Sequence, residues 1–502
     1  MCPGEIRRLS PTGRAGPRAL ATLVFRLFPT AAVLILAGCA EIGPVEAIAD
    51  ARLPNVVHLT WNLLAPAGEH WVEYGVDGNL DQRTPREGTS NTASLVGLKS
   101  GRDYTFRVVV ETPAGERVES EVGEVRVDAP PSELPTFTIG EDERDAQSPD
   151  GVMLTSLLQD GDAWVIAIDR DGDYVWAVQA DAGINVPGVR VNDDATGVIY
   201  TQNARQGSGN EAVSGIVHQP FDGAPRTLTA TDDAHHDALQ LPDGRIAFLR
   251  EYTEPDVSIE GGETVDLGVD AVAHAEEGLL DPRAATTIFD FRAHYPAEPW
   301  RVCRHFDDVA MGGGADWVHA NSLLYEPDSD TLLVNSRNFD ALLALDPDSG
   351  EPLWQLGGRY GEFTDVDGDT IGTGEGTWQV DGPNRTWWSH GHLSHLWADG
   401  FVMFDNGYHH TPTVSRVVEY AVDVPGRTIR KVWEFESEAG EFDPLLGDVR
   451  KLDNGNYLVS WTLQGMVTEI TPEGVVVWRA SASIGNATTR VRQLPDLYGS
   501  GG

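Results

Sequence analysis

The sequence predicts an all-β chain, a small N-terminal β-sandwich followed by a six-bladed β-propeller. Three observations carry that expectation. Residues 136–498 hold no amphipathic helical pattern, only short apolar runs bounded by turn residues. Two phrases recur among those runs. One is a turn followed by a strand, in LPDGRIAFL (241–249), WADGFVMFD (397–405) and LDNGNYLVS (452–460); the other is a Gly turn closed by Trp, in IDRDGDYVW (168–176), LDPDSGEPLW (345–354) and ITPEGVVVW (470–478). Tandem similarity of this kind favours radial closure over a pair of sandwiches, and about 360 residues make six blades of roughly 60.

The first 38 residues read as an export signal. Arg7, Arg8, Arg14, Arg18 and Arg26 precede or enter the apolar run FPTAAVLILAGC, which is too short to span a bilayer. The run ends Leu36-Ala37-Gly38-Cys39 and resembles a bacterial lipoprotein signal. That resemblance implies cleavage before Cys39, lipid on its sulfur, and an exported protein anchored at the outer membrane, in the periplasm or at the cell surface. Residues 39–47 are then a tether. Residues 48–129 follow as a β-sandwich, with strand patterns NVVHLTWN, HWVEYGV, TASLVGL, DYTFRVVVE and VGEVRV, in which Val57, Leu59 and Trp61 alternate as one buried face. Within it GLKSGRDYTFRV is similar to the tyrosine corner of fibronectin type III domains, with Tyr104 at the corner. The adjacent prolines of DAPPSELP make residues 130–135 a linker to the propeller at 136–498.

The chain carries 78 acidic and 36 basic residues among 502, a formal charge of −42. Such a field excludes nucleic acid as a partner, because phosphate binding needs a basic face. An anionic substrate would have to meet a local positive pocket. Of three cysteines, Cys2 leaves with the signal, Cys39 is the expected anchor and Cys303 stands alone as a small buried residue, so no disulfide forms within the mature chain unless the anchor is used.

The repeat allows positions to be compared inside one sequence. Eight residues before Gly244 stands His236, eight before Gly400 stands His392, and eight before Gly455 stands Gly447. His319 precedes SLLYEPDSD at the start of another such strand. In WVHANSLLYEPDSDTLLVNSRN (317–338), His319 and Asn321 are two apart, which predicts one strand face, with Arg337 on the strand that returns. Innermost strands of a propeller line its channel, so these side chains are expected to converge there. His390 and His395 compete with His392, and His235, His409 and His410 are further neighbours.

At these residues the chain resembles the bacterial arylsulfate sulfotransferases, in DWVHANSLLYEPDSDTLLVNSR, HHDALQLPDG, the spacing from His392 to FDNG at 404–407, and the closing TRVRQLPDLY. The resemblance covers nearly all of 136–498. It implies a secreted six-bladed propeller behind a small β-sandwich, working without PAPS or another cofactor and moving a sulfuryl group from an aryl sulfate to a phenol. It also implies His392 as the nucleophile that takes the group, His319, Asn321 and Arg337 as holders of the sulfate oxygens, and His236 as a further imidazole. The sequence departs from some members in lacking a cysteine pair.

DVDGDTIG (365–372) and DRDGD (169–173) resemble parts of Ca²⁺ loops but lack the glycine and closing glutamate of an EF-hand, and read as acidic turns. Zinc held by His236, His319 and His392 is a rival reading, opposed by the cationic Arg337. The remaining rival is a lipoprotein propeller that binds a ligand without turnover.

Overall fold

In the computed structural model, residues 41–499 are described apart from 65–67, 150, 159–162, 182–183, 205–213, 232, 259–263, 296–313, 359, 370, 372–386, 398, 437–439, 441 and 484–486. The expected signal, Cys39 and Cys303 lie outside the described residues. Among those described, one four-residue α-helix, Phe291–His294, and a few 3₁₀ turns accompany an otherwise all-β chain.

Residues 46–126 form two sheets. Glu46–Ala49, Val57–Thr60 and Thr92–Leu95 make one; Gln82–Arg83, Glu69–Val76 and Asp103–Glu111 make the other, edged by Arg117–Glu119 and Gly123–Arg126. The first strand begins at Glu46, two residues ahead of the expected boundary. Val57, Leu59 and Trp61 are buried as the alternation requires, in a core shared with Tyr74, Tyr104 and Phe106. The Tyr104 hydroxyl accepts from the Lys99 backbone N–H at 2.8 Å.

Among the described residues six sheets follow, each an antiparallel meander of four strands in chain order; short further strands join the second, third, fifth and sixth, in parallel on the third and fifth. The first holds Val152–Leu158, Ala163–Ile168 and Tyr174–Gln179; its fourth place is taken by two C-terminal strands, Ala487–Thr488 and Arg492–Leu494. The second runs from Val189–Val191 to Thr227–Ala230, the third from Ala234–Gln240 to Thr286–Asp290, and the fourth from Ala320–Glu326 to Pro352–Gly357. The fifth runs from His392–Trp397 to Thr428–Glu436. The sixth runs from Asp448–Lys451 to Val476–Ala482, where Phe137–Asp142 adds an outer strand.

Each sheet packs face to face on the next, as two-sided apolar strands demand. Val189 and Tyr200 of the second meet Val165 and Trp176 of the first, and Ile199 and Ile216 meet Ile246 and Phe248 of the third. Matching clusters join third to fourth, fourth to fifth and fifth to sixth. Leu458, Val467 and Trp478 of the sixth then pack against Trp164, Ile166 and Ile168 of the first. Two of the recurrent Trp residues bridge to the next sheet: Trp176 Nε1 donates to the Phe221 carbonyl, and Trp478 Nε1 to the Arg170 carbonyl. The turn glycines Gly244 and Gly455 sit at φ +89° and +90°, a conformation other residues resist. Gly400 differs. It starts the strand Gly400–Asp405, and a Cβ there would lie 1.9 Å from the Tyr420 carbonyl oxygen, so close packing selects it rather than a turn.

Leu53, Val56 and Val96 of the N-terminal sheets share a core with Val175, Trp176 and Leu497. Asn55 Nδ2 reaches the Tyr174 carbonyl across that contact, and Lys99 Nζ lies 2.6, 3.1 and 3.4 Å from Asp169, Asp171 and Asp173.

Candidate functional site

The first strands of the third, fourth and fifth sheets share an irregular start. His236, His319 and His390 all have left-handed backbones, φ +47°, +51° and +57°. Each stands beside a strand that bulges, between His235 and Ala238, Ala320 and Ser322, and Leu393 and His395. Such backbone costs free energy in a non-glycine residue and occurs at functional sites as well as in tight turns. The expectation that His319 and Asn321 share a face by simple alternation is therefore corrected. His319 precedes the strand Ala320–Glu326, and the bulge at Asn321 breaks the period of two. Arg337 likewise lies one residue beyond Thr331–Ser336, in a turn whose N–H donates to the His319 carbonyl at 3.0 Å.

His392 opens its strand, buried. Its Nδ1 lies 2.9 Å from Asn406 Oδ1, while Asn406 Nδ2 donates to the carbonyls of Asp443 and Leu446 at 2.8 and 3.1 Å. Those two carbonyls fix the amide, since the reverse orientation would set oxygen against oxygen. Nδ1 must then carry the proton, which leaves the lone pair on Nε2. Burial, with His319, Arg490 and Arg337 nearby, holds the His392 pKa down to about 3.

His236 and His319 meet edge to face, with ring centroids 4.9 Å apart. His236 Nδ1 lies 2.8 Å from His235 Nδ1, and His235 Nε2 lies 3.1 Å from Asp270. Burial, with the imidazoles of His319, His235 and His392 and the Arg490 guanidinium, depresses His236 well below its ordinary value; burial opposes protonation of His235 as well, but the Asp270 carboxylate raises it. His319 Nδ1 is held at 2.7 Å by Asp316, whose carboxyl burial would raise but His319 and Arg337 lower. Arg337 is buried; its Nη1 donates to Asn338 Oδ1 at 2.9 Å and its guanidinium lies 5.0 Å from the Tyr408 ring. Tyr408 is half-buried, whereas Trp317, Trp387 and Trp388 are packed into cores.

A tight pocket joins His236, Asn321 and His392 to Pro187, Leu446, Gly447 and Arg490. Asn321 serves the frame as well. Its Nδ2 donates to the Gly391 carbonyl at 3.2 Å and its Oδ1 accepts from Asn335 at 2.7 Å, tying the fourth sheet to the fifth. Gly447, aligned with the histidines by the repeat, completes the wall at φ +89°.

His390 and His395 point elsewhere. His390 Nε2 lies 3.0 Å from His409 Nε2, and His410 Nε2 donates to the Trp387 carbonyl. His395, past the bulge, accepts the Lys451 N–H at 3.1 Å and lines a different cavity. Sequence reading missed Asn406, Asp316 and Arg490. All three lie within quoted stretches, FDNG, DWVHAN and TRVR, but without a role there, because neither orientation nor contact with a distant sheet is written in local pattern. Among the described residues the only three metal-binding side chains with ligand atoms within 4.8 Å of one another are Asp169, Asp171 and Asp173, the trio that surrounds Lys99.

A sequence model of the arylsulfotransferase (ASST) family matches residues 140–490. Arylsulfate sulfotransferase AssT of Escherichia coli is 24% identical over 352 residues, 60% of this chain and 57% of its own length, so the chain spans little more than half of that relative. Among solved structures, a protein of unknown function from Bacteroides caccae aligns with a TM-score of 0.38 at 13% identity, over 68% of this chain and 99% of that one. Apo AztD from Citrobacter koseri gives 0.34 at 9%, over 68% and 98%.

Proposed function

The chain belongs to the arylsulfotransferase family, and from that premise we propose that it transfers a sulfuryl group from an aryl sulfate to a phenol through a sulfohistidine at His392. The observation that carries the reading is the Asn406-fixed imidazole, neutral at physiological pH, beside Arg490, Arg337 and two further histidines. In the first step the His392 Nε2 lone pair attacks sulfur, the sulfur–oxygen bond to the ring breaks, and the departing phenolate takes a proton from His319. Asp316 accepts from His319 Nδ1 and fixes the orientation of that ring. Arg337 and Arg490 meet the charge on the sulfuryl oxygens with fixed donors, and Asn321 adds an amide. In the second step a phenol loses its proton, which returns to His319 directly or by way of the adjoining His236, its oxygen attacks sulfur, and the sulfur–nitrogen bond breaks. Imidazole and donors return to their starting state.

The six successive sheets are the blades of one propeller, their first strands lining its axis. Residues 46–126 form a fibronectin III-like sandwich, and Cys39 is the lipid anchor that holds the exported protein to a membrane. Incubation of the full chain with 4-nitrophenyl sulfate, with and without phenol, tests the transfer. Acceptor-dependent release of nitrophenolate that vanishes in His392→Ala is expected, with a labile sulfuryl adduct on the His392 peptide after brief exposure to donor. Undiminished turnover in His392→Ala would end the reading.

A further inference from the structure

Beneath the histidine pocket the axis is filled by ions. Arg190 Nε donates to Asp237 Oδ1 at 2.8 Å, and Arg190 Nη2 also reaches the Leu323 carbonyl. Arg490 spans Asp237 at 2.6 Å and Asp448 at 3.4 Å, and Arg492 donates to Asp448 at 2.9 Å. Arg450 stands beside the same carboxylate, but its Nε is 3.8 Å away, beyond a hydrogen bond. Four guanidiniums thus share two carboxylates. Arg450 is nine-tenths buried, and neither its Nε nor its Nη2 has a hydrogen-bond partner; Arg492 Nη2 has none either. Buried donors of this kind are costly unless something accepts from them.

Those three nitrogens are closed off from solvent inside the ion cluster, and the rest of the cluster meets a cavity away from the histidines. Arg190, Arg450 and Arg492 line a separate cavity of about 1200 Å³ at the far ends of the same first strands. His395 lines it too, and because its Nδ1 accepts from the Lys451 N–H, its proton sits on Nε2 as a further donor. Leu324, Leu342 and Phe401 supply buried apolar wall, and Trp397 lines the same cavity. Asp193, Glu326, Asp328, Asp399 and Asp423, all more exposed, add negative charge to its outer lining. A cationic floor under an acidic mouth admits a single small anionic head and repels a polyanion. The volume exceeds what a lone ion fills and suits a ring-sized body.

We propose that this cavity is a second binding site, taking a small aromatic monoanion whose oxygens are held by Arg450, Arg492 and His395. It stands independently of the transferase reading. The test is isothermal titration of the full chain carrying His392→Ala, which silences the proposed transfer site, with 1-naphthoate, naphthalene-1-sulfonate, 1-naphthalenemethanol and inorganic sulfate as probes. Stoichiometric binding of both organic anions, at least tenfold tighter than either the neutral alcohol or bare sulfate, is expected. Arg450→Gln should weaken it at least tenfold. Leu396→Trp, which fills the cavity and leaves every charge in place, should do the same, so the test survives if one variant fails to fold. Binding by neither anion, equal binding of the alcohol, equal binding of bare sulfate, or affinity unchanged in either folded variant would overturn the proposal.

Discussion

An imidazole attacks through one nitrogen at a time, and in His392 that nitrogen is chosen by Asn406, itself held by the carbonyls of Asp443 and Leu446. Asn406→Leu keeps approximate volume but removes the acceptor, freeing the ring to turn and to change tautomer. Losing one buried hydrogen bond of about 1.5 kcal/mol corresponds to roughly tenfold, so kcat in the aryl sulfate assay should fall by about that factor or more. The same residue sets a pH dependence of stability. The folded pKa of about 3 lies below the unfolded value near 6.5, so between those limits the unfolded chain binds the extra proton and stability is lost as pH falls. His392 alone should remove about 2 kcal/mol between pH 7 and pH 5. Urea unfolding of wild type and His392→Gln at both pH values checks this: the variant's loss should be smaller by that amount, and parallel losses would refute it.

At the scale of the strand, sites are made where the regular pattern is interrupted. The turn phrases and the Trp positions are legible in the sequence because they depend on neighbours a few residues away, and Trp176 and Trp478 bridge to the next sheet at corresponding places. The histidines are also legible, since His236 and His392 each stand eight residues before a glycine and His319 opens the equivalent strand. What local pattern could not give was the left-handed entry at His236 and His319, the bulge at Asn321, or the arrival of Arg490 from the C-terminal strands, each of which depends on a partner far along the chain. Gly447 lies between these cases. It stands in the repeat where other sheets carry histidine, yet a Cβ on it would come within 2.1 Å of the Phe404 ring, and its φ is +89°. Gly447→Ala should therefore destabilise by about 1–3 kcal/mol, from strain and overpacking together. Thermal unfolding reads it, and an unchanged midpoint would mean the sixth sheet yields freely at its inner end.

At the scale of the molecule, a chain of charge −42 must place its few cations where they count most. Four of them, Arg190, Arg450, Arg490 and Arg492, line the two cavities, and a fifth, Arg337, is buried beside Asn338 and Tyr408. Lys99 is spent differently. It stands on the N-terminal sheets and inserts its ammonium among Asp169, Asp171 and Asp173 of the first large sheet, where burial would lower its pKa but the carboxylates raise it. The turn that resembles part of a Ca²⁺ loop thereby takes its cation from the chain itself. Lys99→Met leaves three carboxylates facing one another with no internal counter-charge. Because Lys99 is one-third exposed and Asp171 more so, solvent screens much of the repulsion, and the cost should be about 1 kcal/mol at low salt. That loss should shrink as sodium chloride is raised and should be recovered by millimolar Ca²⁺, which would fill the vacated position. A destabilisation indifferent to both salts would mean that Lys99 holds the two parts together by packing of its stem rather than by charge.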